Sequence, residues 1–106
     1  MSLSTPQQVM DRLEQIDADL ATRMNTLESA ARNWFTAKRT KEHDRAVAFI
    51  SAQGTVAERS AIADRDTAQS GVQEEAEYEA IKAVVRTLEA RASIGQSILR
   101  AQGRAS

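Results

Sequence analysis

The chain contains no cysteine, one proline, four glycines and 4% aromatic residues. Without cysteine there is neither a disulfide framework nor a thiolate metal site, and the chain fits a reducing compartment. So little glycine and proline leaves no turn punctuation for a multi-stranded sheet. Neither sign of charge is in excess, since 14 Lys and Arg oppose 15 Asp and Glu for a formal net charge of −1. No apolar run approaches the roughly 20 residues that a membrane span requires. The opening MSLSTPQQV lacks the basic and apolar regions of a secretory signal. A cytoplasmic protein without a membrane partner is expected.

Catalytic constellations are also missing. His43 is the only histidine, and no HExxH, CxxC or GxxxxGK pattern occurs. His43 reads as a surface residue. Glu74, Glu75, Glu77 and Glu79 read as the solvated start of a helix, because acids so close together on one turn point in different directions. A non-enzymatic chain with no metal and no cofactor is expected.

What the sequence does have is helix-forming residues, chiefly Ala, Arg, Glu, Gln and Leu. Thr5, Pro6 and Gln8 have the order of N-cap, first and third residues of a helix. Apolar residues then recur at Val9, Leu13, Ile16, Leu20, Met24, Leu27, Ala31 and Trp34, in steps of three and four. This spacing predicts a helix over residues 5–36 with Trp34 as a core anchor. The polar stretch Thr36–Asp44 is either a turn or a solvated helical segment.

A second apolar pattern, from Ala46 to Ile62, predicts a helix over residues 42–69 despite Gly54 inside it. The spacing leaves open whether this segment continues the first helix or folds back. Ser70-Gly71 marks a break, and Val72 to Leu99 predicts a third helix over residues 72–101, closed by Gly103. Tyr78, among acids, is expected to be partly buried.

These features predict one all-α domain over residues 1–106, built of long amphipathic helices in an antiparallel hairpin or bundle. A compact domain of this length would bury roughly 60–70% of its unfolded surface, yet much of the 42% hydrophobic content is alanine. Apolar stripes this narrow are completed by a partner, and a second copy is the nearest one. A homo-oligomer is therefore expected, held by Leu88, Ile98 and Leu99 of the last helix.

Charge is segregated along the chain. Arg32, Lys38, Arg39 and Lys41 form an acid-free run, every charged residue in 66–80 is an acid, and the last quarter is basic. Trp34 and Phe35 stand directly before the basic run, and aromatic rings beside cations are what a single-strand binder uses to stack bases and follow phosphates.

Three stretches together resemble the UvsY-type phage recombination mediators. They are Trp34-Phe35 with the basic residues after it, Ala52-Gln53-Gly54-Thr55-Val56-Ala57-Glu58-Arg59, and Tyr78-Glu79-Ala80-Ile81-Lys82 through Gly95-Gln96-Ser97-Ile98-Leu99-Arg100. The resemblance spans about residues 25–100. It implies a small helical oligomer that binds single-stranded DNA and helps load a RecA-like recombinase, with a C-terminal oligomerisation helix. The family's basic residues after the Val-Ala step correspond here to Arg59 alone, with Ala61 in place of a second cation. Lys38, Arg39, Lys41 and Arg59 are thus the expected phosphate contacts. The rival expectation is a helical structural or interaction module, such as a phage assembly protein or a Trp-x-Gly hairpin, without nucleic-acid binding. Trp34 is followed by Phe35-Thr36, so the Trp-x-Gly turn is missing.

Overall fold

The structure, a computed structural model, describes residues 5–105. They form three helices and no strand: α1 Pro6–Ser51, α2 Val56–Thr67 and α3 Val72–Ala105. No helix among the described residues is long and apolar enough to cross a membrane.

The start of α1 follows from its first residues. Thr5 N–H donates to Gln8 Oε1 at 2.8 Å while Gln8 N–H donates to Thr5 Oγ at 3.2 Å, a reciprocal cap around Pro6, which has no N–H to leave unpaired. From there α1 runs for 46 residues and does not stop at residue 36. Most of its buried and half-buried residues explain why: Val9, Leu13, Ile16, Leu20, Leu27, Ala30, Trp34, Ala37, Lys41 and Ala48 fall on one 3.5-residue repeat, with half-buried Ala31 and Phe49 beside it. Thr36–Asp44 is therefore a helical segment, in which the half-buried positions are Ala37 and Lys41 instead of large apolar side chains, while Asp44 is exposed.

The expected second helix, 42–69, is divided in two. Its first part is the end of α1, and the chain then turns through residues 52–55, with Gly54 at φ +118°. A glycine in that region is the turn itself, not a weak point inside a helix. Thr55 and Glu58 start α2: Glu58 N–H donates to Thr55 Oγ, and the Thr55 hydroxyl donates to Glu58 Oε1, each at 3.2 Å. α2 ends at Thr67 with Ala68 as its C-cap, two residues before the expected end, and a turn over residues 68–71 leads into α3, with Gly71 at φ +78°. A Cβ added to Gly71 would lie 3.1 Å from the Trp34 ring, so the turn fits there only because residue 71 has no side chain. The third helix also exceeds its expected end, for α3 continues past Gly103 to Ala105.

Two compact units result, and α1 and α3 each contribute to both. Among the described residues the first comprises 5–28 with 80–105, the second 29–79. In the first, Val9, Ile16 and Val85 are buried, flanked by half-buried Leu13, Leu20, Leu88, Ala92 and Leu99. Gly95 lies on the α3 repeat where Leu13 approaches; a Cβ there would meet Leu13 Cδ2 at 2.8 Å. In the second unit, Ala30, Ala63 and Thr67 are buried, and the Thr67 hydroxyl donates to Ala63 O at 2.8 Å. The small residues Ala48, Ala52 and Ser60 are half-buried and Ala63 is buried where the end of α1 meets α2. Their contact pairs, Arg45 with Asp64 and Phe49 with Arg59, show the two running in opposite directions.

Candidate functional site

In the second unit α1 turns its aromatic neighbours to opposite fates. Trp34 lies on the inward repeat and is half-buried, packed near Gly71. Phe35, one residue on, is rotated by about 100° and is 55% exposed. It meets half-buried Tyr78 of α3 with ring centroids 6.3 Å apart and planes tilted by 50°, a favourable offset geometry. Lys38 and Arg39 follow at three and four residues, which places both on the Phe35 face of the helix. Both cations are exposed. This face thus carries an aromatic pair with two exposed cations one turn away.

The other two expected phosphate contacts are placed differently. Lys41 is half-buried and lines an open groove of ≈ 640 Å³ together with Asp44, Glu74 and Glu77, so its charge faces carboxylates. Arg59 is also half-buried. Its Nε donates to Phe49 O at 3.0 Å, and its guanidinium lies 4.5 Å above the centre of the Phe49 ring. Here an arginine of α2 caps a carbonyl of the last turn of α1 and stacks on that turn's aromatic, fastening the α1–α2 corner. Lys38 and Arg39 are thus brought together with Phe35, while Lys41 and Arg59 occupy other surroundings. His43 is exposed, and no group of His, Cys, Asp and Glu among the described residues is placed to hold a metal ion.

In the first unit the residues expected to hold copies together divide as well. Leu88 and Leu99 are half-buried on the inward repeat, and Leu88 together with exposed Ile98 lines an open groove of ≈ 940 Å³. Its floor is Val9, Leu13, Ile16 and Gly95, and its walls carry Arg12, Gln15 and Asp19 from α1 with Arg91, Ile94 and Ile98 from α3. Ile94 is 61% exposed and Ile98 41%. Sequence reasoning missed Ile94 because it stands off the main stripe. The available signal was its four-residue spacing to Ile98, a short second apolar row beside the first.

Comparison of the chain with protein families, with curated proteins and with solved structures finds no match in any of the three.

Proposed function

We propose that this chain is a self-associating helical protein that holds single-stranded DNA and assists recombinase loading without a catalytic centre of its own, acting in the cytoplasm. The observation that carries the reading is exposed Phe35 against Tyr78 with Lys38 and Arg39 one turn on. A base can stack on the free face of such a ring whatever its identity, and two cations beside it can follow the backbone. Homo-oligomerisation of an antiparallel two-helix framework would repeat this small patch, and linked copies convert weak single contacts into a high effective concentration of them. The resemblance to UvsY-type mediators supplies the partner, a RecA-like recombinase.

Fluorescence anisotropy of a labelled oligonucleotide, read across a salt series, tests this. Phe35→Ala is expected to weaken binding by about 1–3 kcal/mol for one stacked base. Lys38→Ala with Arg39→Ala is expected to flatten the log–log salt slope by about 1.4, from 0.7 per lost phosphate contact. Binding that ignores both salt and these substitutions rejects the reading.

A second reading is favoured by the acids around the patch. Glu75 and Glu79 neighbour Tyr78 on α3, and Lys41 faces a groove that includes Asp44, Glu74 and Glu77. Carboxylates there oppose a phosphate and suit a helical interaction module that binds protein alone. Such a module would leave the oligonucleotide free at low salt.

A further inference from the structure

The groove of the first unit needs an occupant. It is apolar along its floor, and the isoleucines of its α3 wall remain in solvent. We infer that a second copy of this chain fills it, related by a two-fold axis that passes beside Gln15 of α1 and Ile94 of α3. This deepens the self-association in the reading above and rests on that part of it alone.

Charge gives the register. Arg12 and Asp19 line the same wall of the groove, two heptad positions of one phase, with Gln15 between them. An axis at Gln15, perpendicular to the helix, sets Arg12 of each copy opposite Asp19 of the other. Opposite charges therefore meet twice, as an isologous interface requires. The α3 wall agrees with this axis. Leu13 packs at Gly95, so Gln15 and Ile94 stand within one turn of the same level. The axis then brings Ile94 against its own copy and Ile98 beside Ala90 and the aliphatic stem of Arg91. Both exposed isoleucines are covered.

Sedimentation equilibrium of the full chain tests the pairing. The wild-type chain is expected to dimerise. Arg12→Asp and Asp19→Arg should each weaken the dimer about tenfold, because symmetry makes every substitution count twice. The double variant Arg12→Asp with Asp19→Arg should return to near the wild-type constant, since both pairs are remade with signs reversed. These side chains are exposed, and a circular dichroism spectrum checks that the helices persist.

The absence of native cysteine allows a second measurement. Ile94→Cys should form a disulfide-linked dimer under mild oxidation, and Glu89→Cys, on the same helix but outside the groove, should not. A chain that stays monomeric overturns the proposal, as does a double variant no better than the singles, or equal crosslinking at both positions. Oligonucleotide anisotropy on the same variants keeps the two readings apart. Binding retained by a chain that does not dimerise sinks the pairing alone, while a rescued dimer that ignores DNA sinks the nucleic-acid reading alone.

Discussion

Arg59 shows how one side chain can satisfy two quite different sequence readings. Beside the Val-Ala step it has the place of a phosphate-binding cation, yet its Nε–H is spent on Phe49 O and its planar face on the Phe49 ring. Both interactions join α2 to the last turn of α1, where carbonyls have no helical N–H to accept from. Arg59→Met keeps the stem and removes the guanidinium. Loss of one charge-assisted hydrogen bond and one cation–π contact is expected to lower stability by about 1–3 kcal/mol, read by urea unfolding, with no change in the salt slope of oligonucleotide binding. Unchanged stability together with a slope lower by about 0.7 would instead give Arg59 to the phosphate.

At the scale of the helices, legibility followed the size of the inward side chains. Val9 to Trp34 announces itself because Val, Leu and Ile stand on the repeat, and Thr5, Pro6 and Gln8 mark its start. Beyond Trp34 the repeat persists through Ala37, Lys41, Asp44 and Ala48, which no hydrophobicity pattern can distinguish from a loop. The fold-back was legible after all in Thr55 and Glu58, whose spacing is that of a capping box, but the apolar residues on either side of Gly54 masked it. The candidate site was half legible. Phe35 beside Lys38 and Arg39 is a local pattern, whereas its pairing with Tyr78 depends on how α3 meets α1 and has no signature in either stretch. Gly95 is the same kind of long-range fact. In isolation it weakens α3 by about 1 kcal/mol relative to alanine, yet Leu13 occupies the space a side chain would take. Gly95→Val is therefore expected to destabilise the first unit by about 1–3 kcal/mol through overpacking, and Leu13→Ala in the same chain should recover part of that loss. A double-mutant cycle in urea measures the coupling; strictly additive effects would mean that the two residues do not share this space.

For the whole chain the decisive quantity is how little lies out of water. The buried apolar residues are Val9, Ile16, Ala30, Ala63 and Val85, two of them alanine, and among the described residues no large side chain is fully covered. Meanwhile Ile50, Val56 and Ile94 remain mostly exposed. Each Val or Ile that is buried contributes about 1.5–3 kcal/mol, while every residue fixed in a helix costs about 1–2 kcal/mol of backbone entropy. A framework this thinly filled gains stability from anything that covers its open face, and by mass action a second copy does so in proportion to its own concentration. Thermal unfolding should accordingly depend on protein concentration, with the midpoint rising by about 2–4 °C for each tenfold increase. Arg12→Asp should lower the midpoint and flatten that dependence, and the reversed pair Arg12→Asp with Asp19→Arg should bring it back. A midpoint constant over a hundredfold range, measured by circular dichroism at low concentration and calorimetry at high, would mean that each chain completes its core without help.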